Sequence, residues 1–106
     1  MKPVFLCIPS LLFLSLYGQD LNEYKKELFT NDGQSLPYRI LYPLAFDTNK
    51  KYPLLIFLHG AYEKGNDNEV QLDVGGRYFL ADSNRRNFPA VIIFPQCPSQ
   101  RRMGLF

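Results

Sequence analysis

Tryptophan is absent from this chain, and histidine occurs once, at His59. No pair of His or Cys residues has metal-ligand spacing, so the sequence offers no metal site. Neither a phosphate-binding glycine loop nor a dinucleotide fingerprint is present, and no other cofactor signature is found. Charge is nearly balanced. A net charge of +2 is too small for a nucleic-acid surface or an electrostatic hold on an anionic membrane. Internal repeats are lacking too. Beyond residue 18 the serines are Ser35, Ser83 and Ser99, and none stands in Gly-x-Ser-x-Gly, the strained turn that exposes a nucleophile.

What is present is globular. The 106 residues are 46% apolar, 15% aromatic and 21% charged, enough for one small domain. The start differs from the rest. Lys2 is the one charge before Asp20, and the stretch from Val4 to Tyr17 is almost wholly apolar. Ser15 and Gly18 are small, and Gln19-Asp20 turns polar. That order describes a secretory signal peptide over residues 1–18. The run is short for a membrane span and Pro9 interrupts it, so no stable span remains after cleavage. The expected location is secreted or periplasmic. Cys7 leaves with the signal, and Cys97 is then alone, suited to a small buried hydrophobe at a strand end or to a partner elsewhere.

The remaining chain divides into alternating patterns. Leu21 to Tyr24 suits a short helical lead-in, and Lys26 to Thr30 a strand. Asn31-Asp32-Gly33-Gln34 is a hairpin turn signal. Leu36, Tyr38, Ile40 and Tyr42 alternate with Pro37, Arg39 and Leu41, the period of a half-buried strand. Pro37 lacks an N–H, which predicts an edge strand or a strand beginning near that point. After a polar connection, Leu54 to Leu58 is an unbroken apolar run that stops at His59-Gly60. Ala90 to Phe94 is a second, closed by Pro95. Both read as strands buried on two faces and parallel to each other. Between them, Asn66 with Glu69 suggests a helix start, while Gly75-Gly76 argues against one long helix. The predicted fold is therefore α/β: an antiparallel hairpin, then two parallel strands joined by a helical crossover. One crossover cannot cover both faces of such a sheet, so the fold reads as incomplete.

Tyr52-Pro53-Leu54-Leu55-Ile56-Phe57-Leu58-His59-Gly60-Ala61, followed by Glu63-Lys64-Gly65-Asn66-Asp67-Asn68, resembles the third strand and oxyanion loop of α/β-hydrolases. Phe88 to Pro98 is similar to their fourth strand and its exit. The likeness is to secreted esterases and predicted peptidases of the phospholipase/carboxylesterase-like and polyhydroxybutyrate-depolymerase-like groups. It implies residues 19–98 as the N-terminal part of a hydrolase domain acting on small-molecule or polymer esters without a cofactor. It also implies an oxyanion hole at Ala61 or Tyr62, with His59, Gly60, Glu63 and Gly65 shaping the loop and Gln96-Cys97-Pro98 bordering the cleft. The family's nucleophile, acid and catalytic His come later in the chain. Residues 99–106 match nothing expected after the fourth strand and read as a truncation or frameshift. The contrasting reading is a small exported interaction module with hydrolase-like strands and no activity.

Overall fold

A computed structural model describes residue 3 and residues 20–100 of the chain. The expected signal peptide with Cys7, and the tail from residue 101, lie outside the described residues.

Four strands form one sheet: β1 (Lys25–Asn31), β2 (Gln34–Leu41), β3 (Leu54–Ile56) and β4 (Val91–Pro95). Their order across the sheet is β1-β2-β4-β3. β2 pairs antiparallel with both β1 and β4, and β3 runs parallel to β4. The hairpin expected from Asn31-Asp32-Gly33-Gln34 is present. Asp32 (φ 49°) and Gly33 (φ 73°) both take positive φ, as a two-residue turn matched to the strand twist requires. A 3-10 turn, Leu21–Glu23, forms the lead-in, closed by the Asp20 carboxylate accepting from Asn22 N–H at 2.9 Å.

The crossover is shorter and more broken than one helix. Two 3-10 turns, Ala61–Glu63 and Val70–Leu72, precede α1 (Gly76–Leu80) and α2 (Asp82–Asn87). Gly75, at φ 86°, separates the second turn from α1, in line with the break expected there. Asn66 does not start a helix. Asp67 takes the local role, its Oδ1 accepting from Glu69 N–H at 3.0 Å and Val70 N–H at 3.3 Å.

Cross-strand partners share a face of the sheet, which separates two environments. Arg39 opposite Phe94, and Leu41 opposite Ile92, lie on the face under the helices. There Tyr24, Leu41, Leu72, Leu80, Ile92 and Phe94 make the core. Phe94 is its centre, stacked on Phe57 at 4.8 Å between ring centroids and edge-on to Tyr24 at 5.4 Å. Tyr24 donates its buried hydroxyl to Gly76 O at 2.7 Å, and burial pushes the phenol's pKa upward. Among the described residues nothing packs over the opposite face. Phe29, Leu36, Tyr38, Ile56, Ile93 and Pro95 line an apolar groove of about 380 Å³ on it.

Two strand expectations are corrected. Leu54 to Leu58 is not buried on both faces: Leu54 is 59% exposed, Ile56 56% and Leu58 61%. Its ladder is also short, ending at Ile56, although Phe57 N–H still donates to Ile93 O at 2.9 Å. The reason is position. Among the described residues β3 is the last strand in the order, so one side has no neighbour and the face of Leu54 and Ile56 has no cover. Nor is β2 an edge strand. β1 and β4 flank it, and Arg39, Ile40 and Leu41 are all buried. Pro37 is tolerated because it lies just beyond the four residues of β2 that pair with β4. Its carbonyl accepts from Gln96 N–H at 2.9 Å, so its nitrogen faces the same way, past the end of β4.

Candidate active site

The loop from His59 to Glu69 leaves the carboxyl end of β3, beside the exit of β4. In open parallel sheets this is where ligand sites form. Gly60 is extended (φ −81°, ψ −177°) and leads into the Ala61–Glu63 turn. Opening donors of a helical turn have no acceptor within it. Glu63 N–H is the first to find one, Gly60 O at 3.3 Å. The N–H groups of Ala61 and Tyr62 are left over, and both residues are exposed. The Tyr62 side chain stands in solvent, 97% exposed.

His59 is half-buried and spends both ring nitrogens on backbone. Nε2 accepts from Cys97 N–H at 2.9 Å, and Nδ1 lies 2.6 Å from Gly60 O. One contact needs a lone pair and the other an N–H, which assigns the neutral Nδ1–H tautomer from the network. No ring nitrogen remains for a serine hydroxyl. Ser99, the serine nearest this loop in its contacts, has its Oγ 3.4 Å from Asn66 Nδ2.

Behind the turn lies a polar network that draws on Glu63, Asp67, Asn68 and Gln96, all within the resemblance motifs, and adds Arg39 and Gln71, for which the sequence suggested no site role. Gln96 is fully buried. Its Oε1 accepts from Asn68 N–H at 2.7 Å, and its Nε2 donates to Asp67 Oδ1 at 2.8 Å and to Glu63 O at 3.4 Å. The Gln96 hydrogen bond, helped by backbone N–H groups, holds the Asp67 carboxyl below its usual pKa. Asn68 sits at φ 53° and uses every polar group it has. Besides its N–H, its carbonyl accepts from Arg39 at 3.0 Å, its Oδ1 accepts from Gln71 Nε2 at 2.5 Å, and its Nδ2 donates to Tyr38 O at 3.1 Å. Arg39, 3% exposed, is satisfied by three carbonyls, those of Leu21, Tyr24 and Asn68, each at 3.0 Å. Burial lowers its pKa, with Glu69 opposing. The signals for this network were thin: an Arg inside an apolar alternation, and an Asn in a loop, the residue type that tolerates left-handed φ.

The structure thus brings together His59, Gly60, Glu63, Gly65 and the Gln96-Cys97-Pro98 exit, and it leaves Ala61 and Tyr62 pointing outward on one turn. Gly65 N–H donates to Cys97 O at 3.1 Å, and the Cys97 side chain is fully buried. No group of His, Cys, Asp and Glu suited to a metal ion occurs among the described residues. No helix among them is long and apolar enough to cross a membrane.

No family model matches the sequence, and no curated protein matches it. A solved structure does. The chain resembles a thermostable esterase with a TM-score of 0.68 and 28% sequence identity, over 81% of this chain and 26% of that one. It therefore spans about a quarter of the length of the esterase it matches. The described residues form a mixed α/β unit that resembles part of an esterase domain.

Proposed function

We propose that this chain is the N-terminal part of a secreted serine hydrolase of the α/β-hydrolase type, acting on carboxylic esters. Its substrate is a small-molecule or polymer ester, and the chemistry needs no cofactor. Residues 1–18 export it. The Ala61 N–H, or the Tyr62 N–H beside it, is one donor of the oxyanion hole. The second donor, the nucleophile, the acid and the base come from the remainder of the hydrolase domain.

The observation that carries this reading is the pair of unspent donors on the Ala61–Glu63 turn, at the carboxyl end of a parallel strand. Acyl transfer moves negative charge onto the carbonyl oxygen, and fixed backbone N–H groups stabilise that charge in the transition state. The likeness of most of this chain to part of an esterase supports the same reading. His59 acts as the anchor of the turn and not as a base, since both its nitrogens are engaged. This segment alone turns over nothing, because it carries no activated nucleophile.

The test is the coding sequence beyond Phe106, read in every forward frame, followed by expression of the full-length product. A nucleophile elbow and hydrolysis of p-nitrophenyl acetate are expected. A stop with no elbow downstream, or a folded full-length product without esterase activity, rejects the reading in favour of an interaction module.

A further inference from the structure

The Ala61–Glu63 turn is exposed, yet its donors must be held in one orientation to serve an oxyanion. Its own contacts do not hold it. Its backbone bond toward the preceding residue, Glu63 N–H to Gly60 O, is long at 3.3 Å. What fixes the turn lies outside it, on the two residues that follow β4. Cys97 N–H takes the residue before Gly60, through His59 Nε2 at 2.9 Å. Cys97 O takes Gly65 N–H, just past the turn, at 3.1 Å. Gln96 reaches between them to Glu63 O, Asp67 Oδ1 and Asn68 N–H. Gln96 is itself fixed, since its own N–H donates to Pro37 O on β2 at 2.9 Å.

From this geometry we infer that Gln96 is a positioning residue for ester hydrolysis, clamping the turn so that the Ala61 N–H, or the Tyr62 N–H beside it, faces the reacting carbonyl. The inference rests on the proposed esterase reading and adds a residue to it. Two features make Gln96 more than a space filler. It is fully buried, so an amide there is costly unless its hydrogen bonds are made, and all its side-chain bonds go to residues 63–68. Gly65 is also shaped to it: a Cβ at that position would stand 3.1 Å from Gln96 Nε2, tighter than ordinary contact. Gln96 touches no substrate in this role. It acts through the backbone it holds.

The experiment uses the full-length hydrolase and two variants, Gln96→Ala and Gly65→Ala. Melting temperature, kcat, KM and the inhibition constant of a boronate that mimics the tetrahedral intermediate are measured for each. A displacement of about 1 Å at a reacting group costs on the order of 100-fold. Gln96→Ala is expected to lower kcat by about that factor and to weaken boronate binding in proportion, with KM nearly unchanged. Gly65→Ala should give a smaller loss of the same kind. Folded Gln96→Ala with undiminished kcat overturns the inference, as does a loss that appears wholly in KM. Should Gln96→Ala fail to fold, Gly65→Ala decides: wild-type kcat and boronate affinity there overturn it. A wild-type protein with no esterase activity would instead reject the underlying reading.

Discussion

His59 and Cys97 are joined by a 2.9 Å hydrogen bond from the Cys97 backbone N–H to Nε2 of the ring. That single contact connects the carboxyl ends of the two parallel strands. The residue with the chemistry of a general base is thereby used as a clasp. Removing it deletes the hydrogen bond between the two strand exits and frees one side of the Ala61–Glu63 turn.

His59→Ala in the full-length hydrolase should therefore be destabilised, by about 0.5–1.5 kcal/mol for the lost hydrogen bond. Its pH–rate profile should keep the shape of the wild type. Thermal melts and pH-dependent kinetics check both. A variant of unchanged stability that loses its pH dependence would make His59 a base.

Asp67 carries an acid-side prediction. Its carboxyl is held below the usual value, first by Gln96 and then by backbone N–H groups. A pKa lower in the folded than in the unfolded chain gives stability that is complete above the unfolded value of about 3.9 and is lost as pH falls through the folded value. Asp67 is largely exposed, so the effect is modest. Asp67→Asn should flatten this part of the stability curve below about pH 4. Denaturant melts of both proteins across pH 2–6 (about that span) measure it. Parallel curves would show that Asp67 contributes no linkage.

Much of the fold was readable because local chemistry and tertiary structure agree. Asp32-Gly33 can supply two positive φ values, and the turn follows. Ala90 to Phe94 is apolar throughout, and β4, like β2, is flanked on both sides. The misreadings came from neighbours that a sequence does not display. Leu54 to Leu58 has the composition of an interior strand, yet its exposure depends on what lies beside β3. Pro37 suggested an edge, but only its own nitrogen needs room, and the end of β4 leaves it. At the site, Gly60-Ala61 was legible from the abrupt end of an apolar run. The bonds that join Arg39, Asn68 and Gln96 were not, because they connect residues up to 57 positions apart and no periodicity encodes them.

The open sheet face predicts how the 106-residue chain behaves by itself. Phe29 is 58% exposed and Ile56 56%, and among the described residues no helix lies over this surface and β3 presents an unpaired edge. Exposed apolar faces and free strand edges favour association. The isolated chain should bind a hydrophobic dye, and its thermal transition should be broad. Fluorescence titration and calorimetry test this. A monodisperse monomer with a sharp, cooperative melt would favour the interaction-module reading.

The oxyanion turn gives the most direct prediction. Only a backbone N–H of Ala61 or Tyr62 has to meet the substrate carbonyl, so side-chain changes and donor removal should have different consequences. Tyr62 stands in solvent, and Tyr62→Ala should alter substrate preference more than turnover on a small ester. Ala61→Pro removes the donor. Proline suits the first position of a helical turn, where its nitrogen has no acceptor to lose, so the fold should tolerate it. Loss of one such donor costs about 3–4 kcal/mol of transition-state stabilisation, or roughly 100- to 1000-fold in kcat. The measurement is kcat for p-nitrophenyl acetate in the full-length hydrolase, alongside a melting temperature matched to wild type. If Ala61→Pro retains its fold and turns over at an undiminished rate, the Ala61 N–H is not the donor. Tyr62→Pro, which removes the adjacent N–H, is then the remaining test. An equally active Tyr62→Pro would mean that the hole is built elsewhere.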